Sequence, residues 1–255
     1  MSPAQFRWSS AAHSHTGLVR EINEDAYLDQ PERGLWAVAD GMGGHAVGDV
    51  ASGMVIDILS KIPPSINLMQ LVANARQQLQ RVNKQLRAEA ALRHVQIIGS
   101  TIVVLLACDV RCGYLWAGDS RIYLARNERL TRLTHDHSRI EELKSRHPHN
   151  AAYSTHQPAR NVITRAVGAS DTLELDEGTM EVKDGDIFLL CSDGLSNALS
   201  EQEIGSMLFP GNYRQACEAL IGLALKRGGR DNISAVVVGV EDLYSEEKTI
   251  VNPAL

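Results

Sequence analysis

Cysteine is scarce, with four in 255 residues, and Cys108, Cys112, Cys191 and Cys217 form no C-x-x-C pair. Such spacing suits neither a zinc ribbon nor a small disulfide scaffold, which leaves reduced, mostly buried thiols. No run of about 18 apolar residues occurs, so no membrane-spanning helix is expected. The opening MSPAQFRWSS lacks the apolar core of a signal peptide, and the cytoplasm is the expected compartment. A basic excess is missing too: the formal net charge of -6 argues against a nucleic-acid surface. Internal repeats, low-complexity tracts and convincing linkers are absent. Residues 1–241 therefore read as a single domain and 242–255 as a polar C-terminal tail. What is present is ordinary globular composition, 44% hydrophobic and 22% charged, on a chain long enough for a large core.

The stretch VADGMGGHAVGD, Val38 to Asp49, has the G-x-x-x-x-G spacing of a phosphate-cradling loop. Such a loop continues with Lys and then Ser or Thr, and the Lys reaches the phosphates. Here Asp49 follows and Asp40 precedes. Negative charge on both sides would repel a phosphate unless a cation stood between them.

Periodicity organises the rest. Leu68, Val72, Ala75, Leu79, Val82 and Leu86 alternate steps of four and three, one apolar stripe on a helix from Leu68 to Arg93. A second helix is expected over about His45 to Lys61, stopped by Pro63 and Pro64. STIVVLLACD and CGYLWAGD read as strands joined by a polar turn, and RIYLA with RLTRLT as a further hairpin. MEV and IFLLCSD flank Asp184-Gly185, a strong hairpin signal. SEQE, Ser200 to Glu203, is a capping box, with Leu199 and Ile204 set as a staple. A helix over about Tyr213 to Lys226 and a last strand, NISAVVVGVE, complete the pattern. Tight turns between strands imply antiparallel pairing, and helices that come in pairs imply an α+β fold. The segment from Ser138 to Arg160 starts helical and then loses all period; a loop so long in a compact domain is usually functional.

Carboxylates recur where apolar runs end: Glu24 and Asp25 in NED, Asp40 in ADG, Asp119 in AGDS, Asp193 in SDG and Asp231 in GGRDN. Any one Asp-Gly pair is explained as a turn former. Five sites of one design suit hard divalent cations, which want oxygen ligands.

GLVREINEDA, VADGMGGH, WAGDSRIY, CSDGLSN and GGRDNISAVVV occur in the order and at about the spacing seen in the metal-dependent Ser/Thr protein phosphatases. The chain resembles this phosphatase 2C-like (PPM) family from about Ser9 to Gly239, and RNVITRAVG resembles its bacterial branch. The resemblance implies a four-layer α-β-β-α sandwich, two antiparallel β-sheets flanked by helices. It also implies a centre of two Mn²⁺ or Mg²⁺ ions. Asp40 would bridge both; Asp193 and Asp231 would complete one shell, and Glu24 with the carbonyl of Gly41 the other. Asp25 would lie close by, and Asp119 with Asp193 matches a third-metal position. Gly43 and Gly44 would let the backbone pass near the ions. Two ions about 3.5–4 Å apart can activate a water and clamp an in-line displacement at phosphorus. Arg20 matches the phosphate-binding arginine, whose fork holds two phosphate oxygens.

Several expectations follow from the same resemblance. The animal enzymes carry a His after the Asp-Gly, whereas this chain and the bacterial pattern have Met42, which leaves the general acid to a metal-bound water or His45. Phosphoproteins are the implied substrates and a Hanks-type Ser/Thr kinase acting in trans the implied opponent. Type VI secretion is one setting in which phosphatases of this size occur. A monomer without nucleic-acid or membrane partners is expected. Two competing readings fare less well. The His135-Asp136 doublet, with His137, His147, His149 and His156, suggests an imidazole metal site, but these histidines read as exposed residues of a flap beside the centre. A non-catalytic phosphoprotein-binding relative would lose carboxylates, and no expected acid is missing.

Overall fold

The computed structural model describes residues 5–43, 47–146, 162–209 and 212–244. Its strands are β1 (Phe6–His15), β2 (Asp25–Gln30), β3 (Leu35–Met42), β4 (Gly99–Ser100), β5 (Ile102–Cys108), β6 (Arg111–Ala117), β7 (Arg121–Arg126), β8 (Arg129–Arg132), β9 (Asp176–Glu181), β10 (Ile187–Cys191) and β11 (Ile233–Asp242). The helices are α1 (Gly48–Ser60), α2 (Leu68–Leu92), α3 (Arg139–Arg146), α4 (Asp193–Ser196), α5 (Glu201–Leu208) and α6 (Tyr213–Lys226). One sheet runs β1-β11-β10-β7-β8 and the other β2-β3-β5-β6-β9, with β4 paired to β3. The strand pairs in both sheets are antiparallel.

The period-2 alternation of the central strands builds four layers. On β3 and β5, Ala37, Ala39, Ile102, Val104 and Leu106 face α1 and α2. Their neighbours Trp36, Val38, Val103 and Leu105 meet Ile122, Phe188, Leu190, Val236 and Val238 of the other sheet. On the far side Leu189, Cys191, Ala235 and Val237 pack under α4, α5 and α6. The expected stripe of α2 is the face it buries, through Ala75, Leu79, Val82 and Leu86, and Asn67 caps its start by accepting from the backbone of Met69 and Gln70. Ser200 and Glu203 form the expected capping box of α5. The cysteines are free, and all but the half-buried Cys108 are buried. Among the described residues no helix is long and apolar enough to cross a membrane.

One expected hairpin is absent. β9 pairs with β6 whereas β10 pairs with β7 and β11, so the Asp184-Gly185 turn passes between sheets. Gly185 does adopt a left-handed φ of 78°. Its N–H donates to Val240 of β11 and the buried Asp186 takes the fork of Arg126, so long-range bonds fix the path.

Candidate metal centre

Strand ends from both sheets supply the acids. Asp25 and Asp40 stand opposite each other in the β2–β3 register. Asp193 opens α4 just after β10, and Asp231 lies two residues before β11. Asp119 occupies the link from β6 in one sheet to β7 in the other. The acids act on one another electrostatically. Burial pushes Asp40 well above the usual carboxylate range, and repulsion from Asp25, Asp193, Asp119 and Asp231 adds to it. Burial likewise pushes Asp25 up to about 7, with Asp193 and Asp231 adding to it. Asp119 is also pushed up to about 7, by burial first and then by Asp193 and Asp136.

The acids are held from behind. Asp25 Oδ2 accepts from Ser192 Oγ and from Ser234 Oγ, both at 2.7 Å, while its buried Oδ1 has no partner. Asp119 Oδ1 is likewise buried and unpartnered. The backbone of Asp40 is fixed on both sides: its N–H donates to Thr101 Oγ1 at 3.1 Å and its carbonyl accepts from Thr101 N at 2.8 Å. Asn232 ties the loop that carries Arg20 and Glu24, accepting from Glu24 N at 2.9 Å and donating to the carbonyls of Thr16 (2.8 Å) and Ile22 (2.9 Å). Residue-type reasoning from the acids alone missed Ser192, Ser234, Thr101 and Asn232. Ser192 and Asn232 carried a signal, since they adjoin Asp193 and Asp231 in CSDG and RDN; Thr101 and Ser234 carried none.

Glycine at position 41 has a steric cause. A Cβ there would lie 2.0 Å from the carbonyl oxygen of Gly48 and 2.7 Å from that of Glu24. Gly48, in the first turn of α1, lies against Glu24 as well, and a Cβ there would sit 2.3 Å from Glu24 Oε1. Met42 ends β3, and Gly44 and His45 lie outside the described residues. Arg20, half exposed, lays its fork on Asp231, with Nε 2.9 Å from Oδ1 and a terminal nitrogen 3.0 Å from Oδ2. That hydrogen bond, then the charge of Asp231, raises the guanidinium pKa, and Glu24 and Asp40 add to the effect.

Two unpartnered buried carboxylate oxygens, inside a set made only of oxygen donors, fit hard divalent cations. An uncompensated buried carboxylate is costly, and a cation removes the cost. The chain belongs to the protein phosphatase 2C family. That family description matches residues 11–230. The chain is 34% identical over 247 residues to the Ser/Thr protein phosphatase PstP of Mycobacterium tuberculosis, which covers 96% of this chain. It spans about half, 48%, of that relative's length. Among solved structures, PppA, a regulatory component of T6SS in Pseudomonas aeruginosa, superposes with a TM-score of 0.87 at 44% identity. It covers 93% of this chain and 99% of its own. A PstP catalytic domain in complex with two manganese ions gives 0.81 at 33%, covering 93% and 100%.

The histidines of THDHS depart from the sequence reading. His135 is exposed, but His137 is buried, stacked on Trp116 with ring centroids 6.0 Å apart. His135, His137 and Asp176 bring ligand atoms within 4.8 Å of one another, a grouping that could converge on an ion. The hydrogen bonds argue against it. Gly118 N–H donates to His137 Nδ1 at 3.2 Å, so the proton of the neutral ring sits on Nε2 and points at Asp176 Oδ2, 3.2 Å away. Arg165 occupies the other oxygen of Asp176 at 3.0 Å. His137 thus braces the turn that carries Asp119. His147, His149 and His156 lie outside the described residues, as does most of the expected flap beyond α3.

Proposed function

We propose that this chain is a protein Ser/Thr phosphatase that hydrolyses phosphoserine and phosphothreonine on proteins. The observation that carries the reading is the convergence of Asp25, Asp40, Asp119, Asp193 and Asp231, two of them with unpartnered buried oxygens, beside an exposed arginine fork. In this reading Asp40, Asp193, Asp231, Glu24 and the Gly41 carbonyl would hold two ions, with Asp40 shared between them. Asp25 stands behind them, and Asp119 with Asp193 offers a third position. Manganese bound by a similar catalytic domain supports Mn²⁺ here, with Mg²⁺ as the other hard ion such oxygens take. When bound, such ions supply a nucleophilic water at neutral pH and neutralise phosphoryl oxygens.

The chain's own residues do the rest. Arg20, whose fork lies on Asp231 in this structure, would hold two phosphate oxygens and orient the ester once Asp231 serves a cation instead. Ser192 and Ser234 fix Asp25 so that only one of its oxygens turns toward the centre. Thr101 and Asn232 hold the backbones of Asp40 and Glu24, so the carboxylates are preorganised before substrate arrives. A Ser/Thr kinase acting on the same proteins is the opposing partner in this reading. Likeness to PppA supports a type VI secretion setting for that pair.

The decisive experiment is hydrolysis of p-nitrophenyl phosphate and of a phosphothreonine peptide with Mn²⁺, before and after EDTA. Both activities should disappear on chelation and return with added Mn²⁺. Asp40→Asn keeps the size but removes the charge, and should lower kcat by at least about 10³-fold. Near-native turnover of that variant would sink the two-ion assignment.

A further inference from the structure

Two cavities border the acidic centre, and their cations differ in one respect. The first, about 350 Å³, lies against Asp119 and Asp193. Each of its cations is already neutralised: Arg121 forks onto Asp136 at 2.9 and 2.7 Å, Arg132 lies 3.7 Å from Asp136 and 3.8 Å from Glu141, and Lys144 bonds Glu141 at 3.0 Å. The second, about 440 Å³, is walled by Asn197, Ala198, Arg227, Gly229, Arg230 and Asp231. Here Arg227 pairs with Glu203 and reaches the carbonyl of Ala198. The exposed side chain of Arg230 makes no hydrogen bond or ion pair among the described residues.

Local sequence explains its position. Helix α6 ends at Lys226, and Gly228 and Gly229 then adopt φ of 115° and 48°. Two left-handed residues in a row turn the chain sharply, which glycine alone does at little cost. A Cβ on Gly229 would also press Leu18 and Leu225 at 3.0 Å. The turn delivers Arg230 directly before Asp231, whose own charge is matched by the fork of Arg20. The cavity therefore shares a wall with the catalytic centre yet holds one cation that nothing among the described residues neutralises.

We propose that Arg230, seconded by Arg227, forms a subsite for an acidic side chain of the protein substrate, one or two residues from the phosphorylated one. The inference rests on the phosphatase reading and adds a sequence preference to it. Successive residues of an extended chain advance about 3.3–3.6 Å, so a neighbour of the phosphoresidue lies over a cavity that shares the Asp231 wall. A free guanidinium fork matches a carboxylate, while Arg227, held by Glu203 and the Ala198 carbonyl, lines the far wall with its remaining donors. Small esters such as p-nitrophenyl phosphate have nothing to place there.

The test compares phosphothreonine peptides of one sequence carrying Glu, Gln or Lys at the flanking positions, with the Mn²⁺-loaded enzyme. Turnover of p-nitrophenyl phosphate serves as the reference for folding and metal loading. The wild type should favour the Glu peptide over the Gln peptide about fivefold in kcat/KM, the scale of an exposed ion pair. Added salt should erode that preference. Arg230→Gln should abolish it, and Arg230→Glu should reverse it toward the Lys peptide. Equal kcat/KM for all three peptides with the wild type, or a Glu preference that survives Arg230→Glu, would overturn the subsite. Failure to hydrolyse any peptide or p-nitrophenyl phosphate would overturn the phosphatase reading and the subsite with it.

Discussion

Stripping divalent cations and raising the pH from 5 to 7.5 should destabilise the protein, a direction opposite to that expected for most paired carboxylates. Burial pushes Asp25 and Asp119 up to about 7 in the folded, metal-free protein, against an ordinary value of 3.8. A folded-state pKa raised above the unfolded one means that the native protein binds more protons, so its stability falls as pH rises between the two values. Asp119 alone crosses about two units of that window, and at about 1.36 kcal/mol per unit this is roughly 3 kcal/mol. For a domain of this size that is a drop of roughly 6–12 °C in Tm. His137 works the other way: burial holds its pKa below 6.5, so its contribution grows with pH up to that value. Asp119→Asn isolates the carboxylate, because it retains His137 and removes the titrating group. The assay is differential scanning calorimetry of EDTA-treated protein at both pH values, with and without Mn²⁺. The wild type should lose more stability than Asp119→Asn as pH rises. Mn²⁺ should stabilise it more at pH 7.5 than at 5, because the ion competes with protons for the same oxygens. Equal pH slopes for wild type and variant, or equal Mn²⁺ effects at both pH values, would refute the reasoning.

Two further outcomes follow from the hydrogen bonds around the centre. Arg20→Ala should leave Mn²⁺ affinity, measured by calorimetric titration, near the wild-type value while lowering kcat/KM for phosphopeptides about 10- to 100-fold, the scale of a lost charge-assisted contact of about 1.5–3 kcal/mol; collapse of metal affinity with unchanged KM would make Arg20 structural instead. Asn232→Ala deletes three hydrogen bonds from a site only 5% exposed, so urea unfolding should show a loss of about 2–4 kcal/mol together with a lower kcat/KM, and an unmoved midpoint would show that the Arg20–Glu24 loop does not depend on it.

The sequence carried some levels of this structure plainly and others hardly at all. Local signals were sufficient for α2, whose stripe is its buried face, and for the capping box at Ser200. The acids were visible because each follows or adjoins an apolar run. Strand β1 was not foreseen, since FRWSSAAHSH is polar and only half buried, and it is a strand because β11 offers ten register partners beside it. Asp184-Gly185 gave the right local turn and the wrong pairing. A turn dipeptide reports backbone conformation, whereas sheet membership depends on partners tens of residues away. His137 lies in a polar stretch and is buried only because Trp116 and Gly118 come together there.

Where the acids come from explains why the fold must hold them firmly. Asp25 and Asp40 belong to one sheet, Asp193 and Asp231 flank strands β10 and β11 of the other, and Asp119 lies in the link between the two. Docking the sheets through Trp36, Val103, Phe188 and Val236 therefore forces like charges together. The apolar interface tolerates that repulsion because burial of several large side chains, each worth about 1.5–3 kcal/mol, outweighs it. At the sheet ends burial first, and then that repulsion, holds Asp40 and Asp193 above the ordinary carboxylate range. Cations at this position would relieve it and bind the two sheets to each other, so metal affinity and sheet docking are one linked equilibrium. A substitution deep between the sheets, such as Phe188→Ala, should on this account weaken metal binding from a distance, whereas an equally costly one under α5 and α6 should not.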